Sequence, residues 1–332
     1  MPSFWRRKRF WGTLLALLLL GWCLYDLDLK QVGVIVQRLR YFWLIVAMVV
    51  VVGVLWVRSA RWRVLINPMK AIGATRMFSI YAVGQLANLV FPALTGQAVR
   101  VMLLHRAEGV TKTGAASTVV VEALLDGLSL VLFMMGASAA LVLPDWLERG
   151  ERWGMIAILG LLAVVFLSVQ FRGEVGGIVE RLEARLPRPV FVRVDRIWRN
   201  FSEGLLALRS LKHLTLAFFC SVASWLGNLA VISLLLFAFG LRLPAGAALV
   251  LMIVNTMLLV VPITPGNVGT YQVACVLGLS LFGVPKTDAV SYGLVLQAAT
   301  FLPIAAVGVY HYLRTPWSLA KAQSKDFQSV DD

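Results

Sequence analysis

One segment type occurs twice in this chain and limits its possible folds more than any other feature: an apolar stretch broken by proline and glycine. Residues 85–97 read QLANLVFPALTGQ and residues 255–267 read NTMLLVVPITPGN. In each copy an amide (Gln85, Asn255) precedes the proline (Pro92, Pro262) by seven residues, and a glycine (Gly96, Gly266) follows the proline by four. A second amide, Gln97 or Asn267, stands directly after the glycine. Further on, GVTKTGAAS at 109–117 returns as GVPKTDAVS at 283–291. Two blocks repeated in the same order indicate an internal duplication. Corresponding breaks in apolar segments of two halves are the mark of a site built from discontinuous helices.

The rest of the composition puts those breaks at membrane depth. With 59% hydrophobic and 14% charged residues, the chain has far more apolar surface than one soluble core can bury, so it reads as an all-α polytopic membrane protein. Cys23, Cys220 and Cys275 lie in apolar runs and offer neither a disulfide framework nor metal spacing. No metal or cofactor is therefore expected. The net charge of +14 suggests nucleic acid at first sight, but no such binding motif is present. The basic residues sit between apolar spans, where they orient the chain and meet anionic lipid.

Six segments are long enough to span: Phe10–Leu27, Tyr41–Val57, Ala115–Leu143, Met155–Phe171, Leu214–Phe239 and Ala289–Tyr312. Arg6–Arg9 before the first resembles a signal peptide, but no small-residue cleavage site follows, so this span is expected to be retained. Two interrupted regions, Met77–Leu104 and Ala245–Phe282, are broken at Pro92 and Gly96 and at Pro262, Pro265 and Gly266. Each is expected to be a re-entrant hairpin, its irregular backbone shielded by protein or a wet cavity. The alternative is a pair of short helices crossing fully.

Charge orients the arrangement. With the N-terminus inside and the hairpins opening to opposite faces, 24 of the 31 Lys and Arg fall on inner segments. The two copies then face opposite ways, an inverted repeat with halves at 41–143 and 214–313. The chain is expected to form one transmembrane domain over 1–315, in the cell's inner membrane with both termini cytoplasmic. The basic inner loop at 172–212 is amphipathic, suited to the membrane surface or to a connector against the bundle. The polar tail at 316–332 is expected to be mobile.

Candidate site residues gather around the breaks. Glu122 and Asp126 lie four apart on one helix face in a span, where ionisable groups cost about 2.5–3.5 kcal/mol to insert. Either they line a path or they pair with Arg100 or Lys112 to hold the bundle. A helix starting near Gly96 would offer free N–H groups with Arg100 one turn on, a place for a phosphate. Arg100 could equally snorkel to the inner interface. Gln85, Asn88, Gln97, Asn255, Asn267 and Gln272 are mid-membrane amides whose simplest role is to satisfy freed backbone groups. Ser221, Ser224 and Asn228 make a polar stripe.

The run NLVFPALTGQAVRVMLL, then VVEALLDGLSLVL, then PITPGNVGTYQ, resembles the lysylphosphatidylglycerol synthase transmembrane region family, the flippase-like membrane proteins. The resemblance runs from about Trp11 to Leu313. It implies that the family's Asn, Pro, Gly and Arg correspond to Asn88, Pro92, Gly96 and Arg100. Its acidic pair corresponds to Glu122 and Asp126, and its PG-x-x-G turn to Pro265, Gly266 and Gly269. Three positions depart from the family: Gln97 and Gln272 replace acids, and Ala123 replaces an arginine. Fewer acids remain to receive a cationic headgroup.

The resemblance implies a lipid transporter without a synthase domain, moving a phospholipid or polyprenyl-linked lipid between leaflets, with Arg100, Glu122 and Asp126 in its groove. Membrane lipids are the expected partners, together with a separately encoded lipid synthase or glycosyltransferase, and no nucleic acid. Two rivals stand beside it. One is an intramembrane enzyme modifying lipid headgroups with Glu122 or Asp126 as base; the other is a non-transporting partner that recruits a synthase.

Overall fold

The computed structural model describes residues 33–35, 37–90, 95–140, 149–150, 152–157, 159–160, 210–244, 246–259 and 267–314. The first expected span, most of the fourth, the basic loop up to residue 209 and the polar tail lie outside the described residues, as do Pro92, Pro262, Pro265 and Gly266.

Eight helices have defined bounds among the described residues. They are α1 (Tyr41–Ile66), α2 (Ala74–Val90), α3 (Thr95–Glu108), α4 (Lys112–Ala140), α5 (Leu211–Ala238), α6 (Ala247–Leu259), α7 (Thr270–Ser280) and α8 (Lys286–Arg314). Four of them, α1, α4, α5 and α8, are long and apolar enough to cross a membrane. At 1.5 Å per residue each measures about 40 Å, more than the hydrocarbon core requires. The chain is thus a helical, multi-pass membrane protein.

One boundary corrects the sequence reading. The second span does not end at Val57; α1 continues to Ile66 and carries Arg58 and Arg61 with it. The stretch RSARWRVLI contains no helix breaker, and Pro68, which lacks the N–H for another turn, comes just after the end. The extra turns keep both arginines within the helix and out of a loop, where they would have counted as orienting charge.

Short helices flank each break, and the two halves repeat one order: long, short, short, long. Exchanging α1–α4 with α5–α8 leaves the set of packed helix pairs unchanged. α1 packs on α5, its own counterpart. Otherwise α1 packs on α2, α4 and α8 as α5 does on α6, α8 and α4. The pairs α2·α3, α3·α4 and α2·α8 likewise match α6·α7, α7·α8 and α6·α4. The counterparts α1 and α5 run antiparallel, since the Arg40 N–H before α1 donates to the Ala238 carbonyl at the end of α5 (3.0 Å). Midway along this seam Gly227 faces Val54, and a Cβ on the glycine would collide with the valine side chain.

The apolar interior is continuous across the halves. Ala47, Val51, Leu235, Leu251, Leu279 and Tyr292 share one cluster, and the Tyr292 hydroxyl donates to the Ile232 carbonyl (2.8 Å). A second cluster, around Trp62, Ile66, Met77, Ile80 and Leu104, holds α2 and α3 against α1. Around the start of α2, Lys70 and Arg76 pair with Glu108 of α3.

Candidate functional site: a charged cavity inside the bundle

Buried charge is the unusual feature of this interior. Arg61 and Arg100 are each 2% exposed and Glu122 is 3% exposed. Glu122 and Asp126 sit one turn apart on α4, and Arg61 reaches them from α1. Its Nε donates to Glu122 Oε1 (3.4 Å) and its Nη2 to Asp126 Oδ2 (3.0 Å), while Nη1 donates to Asp126 Oδ1 and to Ser221 Oγ (2.7 Å). From α3, Arg100 Nη2 donates to Glu122 Oε2. One guanidinium therefore spans two carboxylates, and one carboxylate is shared by two guanidiniums.

Aromatic rings complete the setting. The Arg100 guanidinium carbon lies 4.6 Å from the Trp62 ring centroid and 5.1 Å from that of Tyr81. Cation–π attraction offsets part of the desolvation cost at such a site. Trp62 is fixed in turn, its Nε1 donating to Thr118 Oγ1 (3.0 Å). These contacts tie α1, α3, α4 and α5 into one network. Breaking such a pair by removing one partner costs about 3–5 kcal/mol.

The network forms one wall of a cavity of about 500 Å³ that is also lined by Arg58, Gln85, Gln97 and Trp225. Asp126, with its side chain 35% exposed, is the acid most open to it. A second cavity of about 300 Å³ is lined by Asn228, Asn255, Thr256, Tyr271 and Thr300. Arg58, Gln85 and Trp225 line both, so the two adjoin. Three guanidiniums against two carboxylates leave one positive charge over, and Arg58 makes no ion pair among the described residues.

The expected site residues divide into two groups. Arg100, Glu122, Asp126 and Gln97 meet at the large cavity, and Gln97 Oε1 is buried without a hydrogen-bond partner among the described residues. Arg100 is buried and does not snorkel; it pairs with Glu122, while Lys112 is exposed. Asn88 and Gln272 serve the backbone. Asn88 Oδ1 accepts from the Gly96 N–H (2.7 Å) and Gln272 Oε1 from the Gly269 N–H (2.8 Å). The Gly96 amide expected to face an anion is thus already taken. Gly96 itself packs on Gly84, where a Cβ would run into the Gly84 carbonyl oxygen and the Asn88 amide. Asn267, in the left-handed region at φ 53, has a buried Oδ1 without a partner among the described residues.

Arg58, Arg61, Trp62, Tyr81 and Trp225 were not among the sequence candidates. One signal was available. Two carboxylates in a span require cations, and with Ala123 where the family resemblance leads one to expect arginine, they had to come from other helices. Arg58 and Arg61, three apart beside an apolar run, share a helical face.

Comparison with known proteins adds the following. A family described as "Lysylphosphatidylglycerol synthase TM region" matches residues 9–308. A "UPF0104 membrane protein" from Methanothermobacter thermautotrophicus is 22% identical over 318 residues, covering 91% of this chain and 92% of that one. No solved structure matches.

Proposed function

The chain belongs to the lysylphosphatidylglycerol synthase TM region family, and from that premise we propose that it moves a phospholipid or polyprenyl-linked lipid between the leaflets of the cell's inner membrane. The supporting observation is the charged cavity of about 500 Å³ lined by α1, α4 and α5, three helices long and apolar enough to span, together with the short α2 and α3. A headgroup would leave the interface, shed its water against Arg58, Gln97 and Asp126, and cross with its tails still in lipid. That route avoids most of the cost of carrying a phosphate through hydrocarbon.

The alternating mechanism rests on the repeat. Interrupted pairs α2–α3 and α6–α7 would act as re-entrant hairpins opening to opposite faces, with both termini cytoplasmic. The exchange relation between the halves and the antiparallel α1 and α5 favour an inverted repeat over a tandem one. Rocking of one half against the other would then open the cavity to each leaflet in turn. A lipid synthase or glycosyltransferase encoded elsewhere would supply the cargo.

Reconstitution tests this reading. The protein is placed in vesicles with headgroup-intact, tail-labelled phosphatidylglycerol or a polyprenyl phosphosugar, and a membrane-impermeant quencher is added. Protein-dependent quenching of inner-leaflet probe is expected. No such quenching with either probe would overturn the carrier reading. Turnover of either lipid by protein in detergent would favour the enzyme instead.

A further inference from the structure

The two adjoining cavities are related by the repeat. Counting from the matched turns at Gly109 and Gly283, Glu122 corresponds to Leu296 and Asp126 to Thr300; by the matched amides, Gln85 corresponds to Asn255. The first cavity is lined by Gln85, Glu122 and Asp126, the second by Asn255, Leu296 and Thr300. They are two copies of one site, and the second copy has no carboxylates. Glu122 lies ten residues into α4 and Leu296 ten into α8, each about 15 Å from the start of its helix.

From this pairing we propose that the joined cavities form one chamber for a lipid phosphate esterified to an uncharged polyhydroxyl group, the phosphate at Arg58 and the hydroxyls at Asn228, Asn255 and Thr256. Arg58 is the cation in surplus and lines both cavities. Arg61 is committed to both carboxylates and Arg100 to Glu122 through Nη2. The Nε and Nη1 of Arg100 have no hydrogen-bond partner among the described residues, but its guanidinium lies over the Trp62 and Tyr81 rings. A phosphate is the anion whose oxygens match a guanidinium fork.

The chemistry of the second copy sets the rest of the headgroup. Among the described residues, Asn255 Oδ1 and Trp225 Nε1, an acceptor and a donor, are buried there without hydrogen-bond partners. Unpaired buried polar atoms are costly, and a ligand that satisfies them recovers that cost. Hydroxyl groups both donate and accept, as amides do, so a glycerol or sugar matches this lining. An ammonium does not: its counter-ions would have to be Glu122 and Asp126, whose oxygens are held by arginines.

The choice of a lipid rests on the carrier reading above, and the test measures binding, not movement, so that the two can fail separately. Full-length protein in detergent is titrated with phosphatidylglycerol, a glucosyl phosphopolyprenol, phosphatidylcholine, lysyl-phosphatidylglycerol and glucosyl diacylglycerol, followed by native mass spectrometry. At least one of the first two is expected to bind about tenfold more tightly than the other three. Which of the two binds identifies the source of the shared chemistry. Arg58→Gln should abolish the preference over glucosyl diacylglycerol, and Asn255→Leu the preference over phosphatidylcholine. Equal binding of phosphatidylcholine, tighter binding of lysyl-phosphatidylglycerol, or an unchanged profile in either variant would overturn the proposal. Should Arg58→Gln fail to elute as folded protein, Asn255→Leu and Thr256→Val decide: a retained hydroxyl preference in both overturns it. The expected binding pattern without lipid movement in vesicles would defeat the carrier reading and leave the ligand class standing.

Discussion

The Arg40 amide donates to the Ala238 carbonyl at 3.0 Å, which fixes the start of α1 against the end of α5. Because these helices are counterparts in the repeat, the contact gives the two halves opposite directions along the bundle axis. The turn between α3 and α4 and its counterpart between α7 and α8 then lie at opposite ends. A membrane-impermeant thiol reagent should label Thr111→Cys only from the cytoplasmic side and Pro285→Cys only from the other. Labelling of both from one side would remove the inverted arrangement.

Arg61 holds two acids, so its loss leaves both with less compensation. Arg61→Leu should lower the thermal midpoint in detergent by an amount equivalent to about 3–5 kcal/mol, or prevent folding. Arg61→Lys should recover only part of it, because one ammonium cannot reproduce the forked contacts to Asp126 and Ser221. Scanning fluorimetry of the purified variants measures both, and full recovery by lysine would show that charge alone suffices.

The two acids should behave differently. Glu122 is buried between two guanidiniums, whereas Asp126 opens on the cavity. Glu122→Gln is expected to cost more stability than Asp126→Asn. Asp126→Asn should retain the fold and alter lipid movement. Equal losses of stability in both would mean that Asp126 belongs to the structural network alone.

Glu108, at the end of α3, provides a pH signature. Burial pushes its carboxyl up, but hydrogen bonds from Arg76 (2.6 Å) and from Lys70 outweigh that and hold it below the ordinary 4.5. A carboxyl depressed in the folded state stabilises above its unfolded value, and that contribution disappears as pH falls through the folded value. Glu108→Gln should therefore flatten the pH dependence of the thermal midpoint below about pH 5. Both basic partners are half exposed, so the difference should shrink in high salt.

Gly96 and Gly53 make a contrasting pair. A methyl group at Gly96 meets the Gly84 backbone and Asn88, so Gly96→Ala should separate α2 from α3 and cost on the order of 1–3 kcal/mol or more. Nothing lies within 4 Å of a Cβ at Gly53 in the middle of α1, where alanine should stabilise by about 0.5–1 kcal/mol. Melting curves of the two variants should shift in opposite directions.

Much of this was written in the chain. The duplicated breaks foretold the matched short helices, and the spacing of Glu122 and Asp126 foretold one acidic face. The partners of that face were harder to read. Arg58 and Arg61 look like an inner loop because hydropathy falls at charged residues whether or not a distant helix neutralises them. Asn88 and Gln272 could be read as ligand amides or backbone caps until the Gly96 and Gly269 N–H groups were located. Pairing between residues sixty positions apart leaves no local periodicity to detect. The second cavity was legible only in part: Asn228 and Asn255 stood out as polar residues in apolar runs, but Leu296 and Thr300, at the positions of the two acids, gave no sign of a shared space.

The missing side chain at Gly227 lets α5 close on α1 at the middle of the seam between the halves, with Val54 seated in the notch. A tight crossing midway along two antiparallel rods is a fulcrum: points near it barely shift while the far ends swing widely. Arg58 lies one turn from Val54, so a tilt that parts the bundle at either face would leave this guanidinium nearly stationary. A headgroup anchored there would see the doors change around it without being dragged along.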